Sequence, residues 1–231
     1  MTNATYFLTP NAAGTAFTGT GYTPDGTIPK GAIPCTQEQA QNFQAYVPSN
    51  GAIVSAPSAV LLAQAQTAQK ALITQGYNTA TDYAPVTISG TTYSVDNTAG
   101  KQALNLSLAI TANAMMQSPA WTASTEYAAG AYRSVGGVIL FCSTAGKSGT
   151  SAPTPPTAFG APITDGTAAW ELLGRKVYLQ GGSFVYMTPQ QIMSAFQQGE
   201  LYLHQMSNQL ELLKAEIMAA TTVTAVQTYT F

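Results

Sequence analysis

The stretch TPQQIMSAFQQGELYLHQMSNQLELLKAEIMAA, Thr188 to Ala220, decides how the rest of the chain is read. Seam positions recur at Ile192, Phe196, Gly199, Leu203, Met206, Leu210, Leu213 and Ile217, in steps of 4, 3, 4, 3, 4, 3 and 4. That alternation keeps one apolar stripe facing one way along an α-helix, the heptad pattern of helices that pack on helices. Thr188 and Gln191 make a capping box, and Pro189 takes the first helical position, where its missing N–H costs nothing. About 30 helical residues would run about 45 Å. One helix cannot hide such a seam, so the sequence predicts a covering helix, from this chain or from a second copy. Charges beside the seam are few, Glu200, Lys214 and Glu216 being the main ones. That favours packing inside a larger body over a free coiled coil.

Two further helices could supply the cover. Pro57 and Ser58 open one over residues 58–74, with Leu61, Ala65, Ala68 and Leu72 in steps of 4, 3 and 4 and Gly76 as its C-terminal cap. Asp96 caps another over 97–117, with Leu104, Leu108 and Met115 beside Leu106, Ile110 and Ala114, and Ser118-Pro119 ends it. Before it, Val86–Ile88, Ser89-Gly90 and Tyr93–Val95 read as a hairpin. Lys176–Leu179 and Phe184–Tyr186 around Gly181-Gly182 read as a second.

Residues 119–175 break the helical pattern. Turn residues there separate strands around Tyr127–Tyr132, Val138–Cys142 and Ala168–Leu172, a three-stranded β module. At the other end, residues 1–35 read as an extended arm with short strands, its Tyr6, Phe7, Phe17 and Tyr22 in need of cover. Thr36 and Gln39 make a capping box for a short helix to Tyr46, and Asn50-Gly51 turns into the strand Ala52–Val54. The expected fold class is therefore α+β: an extended N-terminal arm, a small helical bundle with one long C-terminal helix, and an inserted three-stranded antiparallel β module. The expected divisions are an arm with a short helix at 1–57, helical parts at 58–118 and 176–231, and the module at 119–175.

Of 231 residues only 8% are charged, about a third of the usual share. Surfaces of Thr, Ser, Gln and Asn suit a protein that lives inside an assembly, where few charges need desolvation. A net charge of −2 leaves no footprint for nucleic acid. No apolar run is long enough for a membrane span, and no secretory leader is expected. Cys35 and Cys142 are read as buried thiols rather than a pair.

Chemistry is hard to find. His204, the one histidine, lies next to Leu203 on the long helix with no nucleophile elbow nearby. Glu126, Glu171 and Asp165 could approach as a glycosidase pair, but Asp165-Gly166 has an ordinary turn explanation. Gly146-Lys147-Ser148 lacks the first glycine and the strand–loop–helix setting of a phosphate loop. No catalytic residue, metal ligand or cofactor is assigned.

The run from Ala120-Trp121 through Tyr127, Gly130, Gly137, Phe141, Ser148-Gly149 and Pro153 to Asp165-Gly166 and Trp170 is similar to a small β module of phage tail-fibre proteins. That module in turn resembles the carbohydrate-binding modules of chitinases. Ile28–Ile33 with the helix after Thr36 resembles the start of phage tail-fibre and tail-fibre-assembly proteins. Thr92–Asp96 and Val185–Pro189, each with its following helix, resemble a domain of uncharacterised function common in phage tail proteins. The resemblance implies a virion structural protein of a phage tail, in the fibre or baseplate region, assembled in the host cytoplasm. It implies other tail proteins as partners, several copies (three being common in fibres), and contact with a host-surface polysaccharide. Sugar binding would fall to rings that stack on pyranose faces, Tyr132, Tyr127 and Trp121, with Glu126 and Arg133 as polar neighbours. Against this stand two other readings: a fibre-assembly chaperone absent from the finished particle, and a stand-alone carbohydrate-binding protein.

Overall fold

The computed structural model describes residues 4–231. Among the described residues helix and strand are mixed: five α-helices and several small antiparallel sheets. The chain divides into two compact units, one of residues up to Ile73 together with Leu213–Phe231, the other of Thr74–Leu212.

The first unit begins with β1 (Thr5–Pro10), β2 (Phe17–Thr23) and β3 (Ile33–Cys35), an antiparallel sheet in the order β2-β1-β3. The extended arm expected over residues 1–35 is therefore corrected from Thr5 onward; residues 1–3 lie outside the described residues. The sheet closes for local reasons. Asn11 Oδ1 accepts from the Thr15 amide at 2.9 Å and shapes the connection between β1 and β2. The Phe7 ring lies over its cross-strand partner Gly21, where a Cβ would collide with it. Leu8 on the central strand is fully buried.

The capping box at Thr36 is present, with Thr36 and Gln39 each bonding the other's amide, but α1 is short (Gln37–Gln41). After one 3-10 turn the chain enters β4 (Tyr46–Ser49), which pairs with β5 (Ala52–Ser55). Asn50 and Gly51 both take positive φ, the two-residue turn their sequence calls for. α2 (Ser58–Thr81) follows. It runs past Gly76, correcting that residue's role as a cap.

In the second unit β6 (Tyr83–Ile88) and β7 (Thr91–Asp96) form the expected hairpin, turning through Ser89 and Gly90 at positive φ. α3 (Ala99–Met116) has Thr98, not Asp96, at its N-cap; Asp96 instead accepts from the Thr98 amide and hydroxyl. The β module comprises β8 (Glu126–Tyr127), β9 (Tyr132–Val135), β10 (Val138–Thr144), β11 (Gly146–Lys147), β12 (Ile163–Asp165) and β13 (Ala168–Leu172). Its main sheet has four strands, β12-β13-β10-β9, with β8 and β11 as a separate ladder, so the three-stranded expectation is corrected. The strand missed from the main sheet was β12, three residues long, on the near side of the Asp165-Gly166 turn, and β11 was missed as well.

β14 (Arg175–Tyr178) and β15 (Phe184–Met187) make the last hairpin and deliver the chain to α4 (Pro189–Ala219). Thr188 and Gln191 close the predicted capping box. The core around the start of α4 is not a helical bundle, which corrects that part of the fold expectation. Ile192 and Ala195 join Val86, Ile88 and Val95 of one hairpin, Val177 and Met187 of the other, and Ala112 of α3. Gln198 reinforces the dock: its side chain accepts from the Thr87 amide at 2.8 Å and donates to the Thr87 carbonyl at 3.1 Å, occupying the outer edge of β6.

The last turns of α4 belong to the first unit, with α5 (Val223–Val226). There Gln66 of α2 donates to the carbonyls of Ile217, Met218 and Ala220, at 3.1–3.3 Å, satisfying acceptors a helix end leaves free. Gln69 holds the Tyr229 carbonyl at 2.6 Å. Ile217 and Val226 are fully buried. Among the described residues no helix is long and apolar enough to cross a membrane.

Candidate functional site

The β module is built around one buried carboxylate. Asp165, 5% exposed, accepts from the Trp121 indole at 2.7 Å and the Trp170 indole at 3.0 Å through Oδ2, and from the Gly149 amide at 2.7 Å through Oδ1. Both of its oxygens accept from buried or half-buried donors of the module, which makes it a structural node. Backbone closeness around it demands glycine: a Cβ on Gly166, whose φ is +65°, would run into the Lys147 carbonyl, and one on Gly146 would lie 2.5 Å from Thr167 backbone. Ser148 is buried beside it, accepting from the Thr125 amide and donating to the Thr122 carbonyl. This run is a strand packed on a turn, not a phosphate loop.

The residues expected to bind sugar lie in one module but differ in how far they are buried. Tyr127 is buried, its ring edge-on to Trp170 at 5.0 Å and its hydroxyl tied to both the amide and the carbonyl of Thr122. Arg133 stands 4.8 Å over the same ring and donates to the Tyr132 carbonyl. Tyr127, 4% exposed, is thereby corrected from a stacking platform to a core residue, while Arg133 over it is half-buried. Trp121, half-buried, packs against the module core and spends its N–H on Asp165. Glu126 is exposed on β8, and Tyr132 is half-buried against Phe141, with ring centroids 5.8 Å apart. Of the five, only Tyr127 is buried; Glu126 is exposed and Trp121, Tyr132 and Arg133 are half-buried.

Cys142 is enclosed beneath the sheet, its thiol donating to the Thr144 carbonyl at 3.1 Å, and burial pushes that thiol above its ordinary range. It and Cys35 are free thiols. Cys142 is expected to react with a thiol reagent at pH 8 roughly a hundredfold more slowly than in urea, reporting opening of the module. Equal rates in the two conditions would contradict the enclosure.

The seam leads to a different feature. Ile192, Phe196, Gly199 and Leu203 line a groove of about 370 Å³ whose floor is Ala84, Val86 and Val95 and whose far wall is the first half of α3. Further along, Met206 and Leu213 are half-buried and Leu210 is buried. Leu106 on the groove's rim and Ile110 one turn on are 51% and 63% exposed. Sequence reading saw the broad apolar face of α3 but not that its inner part, Leu108 and Ala112, alone meets the core. His204 is exposed, bonded to Asn208 one turn on. Among the described residues no group of three or more His, Cys, Asp or Glu is placed to hold a metal ion.

Comparison of the chain with protein-family models, with curated proteins and with solved structures finds no match in any of the three.

Proposed function

We propose that this chain is a non-catalytic structural component of a phage tail, in the fibre or baseplate region, present in several copies and docked to other tail proteins, and that it also attaches to host-surface glycan. The assembly half of this reading draws on the exposed apolar residues of α3. Leu106, on the rim of the groove, and Ile110, one turn on, follow one another by four residues along α3, and both stand more than half exposed. A second copy is the occupant this reading assigns to them. The low charge of the chain fits the same use, since few charges would be stripped of water as copies close together. The phage-tail setting itself draws on the sequence resemblances and not on the geometry.

Light scattering tests the assembly. The wild-type chain of 24.0 kDa is expected to run as an oligomer, three copies being the count a fibre would favour. The double variant Leu106→Asp/Ile110→Asp is expected to run as a folded monomer, because neither residue is part of a closed core. A wild-type monomer at tens of micromolar, unchanged in the variant, would sink the reading. Mass spectrometry of purified particles then separates a virion component from a chaperone that leaves.

A further inference from the structure

The outer face of the β14–β15 hairpin gathers rings and cations that no reading of the module used. Strand alternation puts Val177, Val185 and Met187 on the core side. The opposite face carries Lys176, Tyr178, Phe184 and Tyr186, with Lys176 directly across from Tyr186 and Tyr178 across from Phe184. Phe184 and Tyr186 are 48% and 43% exposed, large values for rings on a strand. Their centroids are 5.8 Å apart and their planes perpendicular. Phe159 closes the other side of Tyr186 at 5.8 Å. Lys176 Nζ lies 4.4 Å from the Phe184 centroid, and Lys101 Nζ lies 4.0 Å from that of Tyr178. Two of the eight Lys and Arg residues thus converge on one small aromatic face.

We infer that this face is a binding site for an acidic glycan, with the corner between Phe184 and Tyr186 as its grip and Lys176 as its charge contact. This rests on the adhesive half of the proposed function and relocates it from Tyr132 to the hairpin. The geometry selects the ligand class. Two rings at right angles form a corner, which suits a saturated sugar ring: one face of C–H groups packs on one ring and an edge on the other. Successive nucleic-acid bases need parallel platforms and several phosphate contacts, and this face offers neither. The ammonium of Lys176 is held at the rings by cation–π attraction and keeps donors for a carboxylate. A single corner binds weakly, and copies on an assembly would multiply it.

The test is binding of the whole protein to polygalacturonate, polysialic acid, neutral dextran and oligo-deoxythymidine. It compares wild type, Phe184→Ala, Tyr186→Ala, Lys176→Gln and Tyr132→Ala, with circular dichroism as the check on folding. The expected result is binding to at least one of the two carboxylated polymers, reduced tenfold or more in Phe184→Ala and Tyr186→Ala. Lys176→Gln should lower it severalfold and flatten its salt dependence, and Tyr132→Ala should leave it unchanged. Loss in Tyr132→Ala alone would overturn the hairpin site while leaving glycan adhesion standing. Equal binding to dextran would overturn the acidic class. Failure of both carboxylated polymers, or preference for the oligonucleotide, would overturn the inference altogether, and the light-scattering result on assembly would be untouched by it.

Discussion

Asp165→Ala is expected to unfold the β module well before the rest of the chain, at a cost of about 4 kcal/mol. The substitution strips three donors of one acceptor group: two indole N–H groups and the Gly149 amide, all in contact with a carboxylate that is itself 5% exposed. Hydrogen bonds to a charged group are each worth roughly 1.5–3 kcal/mol, and donors left dry add their own desolvation cost. The sum falls short of three full bonds because the module can relax and admit water. Asp165→Asn separates charge from shape. Its amide keeps one accepting oxygen, so either the indoles or Gly149 face an NH₂, and roughly 2 kcal/mol is the expected loss. Trp121 and Trp170 are the chain's two tryptophans and both sit on this carboxylate, so their fluorescence in a urea titration reports the module alone. An Asp165→Ala midpoint within 1 kcal/mol of wild type would show that water or a rearranged side chain replaces the carboxylate at no cost.

What was legible in the sequence was local. Both capping boxes, at Thr36 and Thr188, and the turns at Asn50-Gly51 and Ser89-Gly90 are settled by residues within four positions of one another, and the structure has them where they were read. What misled was decided at a distance. Gly76 reads as a helix end because glycine costs about 1 kcal/mol inside one. α2 nevertheless continues to Thr81, where the Tyr202 hydroxyl takes the Ala80 carbonyl at 2.9 Å and the Asn97 side chain takes that of Thr81. Those partners lie far along the chain and leave no periodic trace. Asp165 was hidden the same way: Asp-Gly is an ordinary turn on paper, and its task depends on two tryptophans 44 and 5 residues away. The sugar-contact reading failed at Tyr127 because a module this small needs its largest rings inside.

Burial along the heptad seam is uneven. Ile192 and Ile217, 4% and 0% exposed, are among the most enclosed seam residues, while Phe196, Leu203 and Met206 between them are half-buried. Ile217 belongs to the first unit, on the turn of α4 whose carbonyls Gln66 bonds. Its replacement carries the second large effect. Ile217→Ala should cost about 2–5 kcal/mol as a cavity in a closed core. Ile217→Asp should cost more at neutral pH, since it puts a charged carboxylate where the native side chain is fully buried. Burial would raise the carboxyl's pKa in the folded state above its unfolded value of about 3.9. The variant's stability is then highest below about pH 4, where the carboxyl is protonated in both states, and falls as pH rises through the raised folded value. Ile217→Asn, which does not titrate, should lack this extra slope. Met218→Asp makes the control: Met218 adjoins Ile217 on the same helix but is 54% exposed, so the same charge should move stability by about 0.5 kcal/mol or less. Thermal unfolding followed by helical dichroism at pH 3.5 and pH 7 distinguishes these cases. If Ile217→Asp and Met218→Asp lose the same stability at pH 7, the end of the seam opens to water in solution, and the Gln66 bonds, not apolar burial, hold α4 in the first unit.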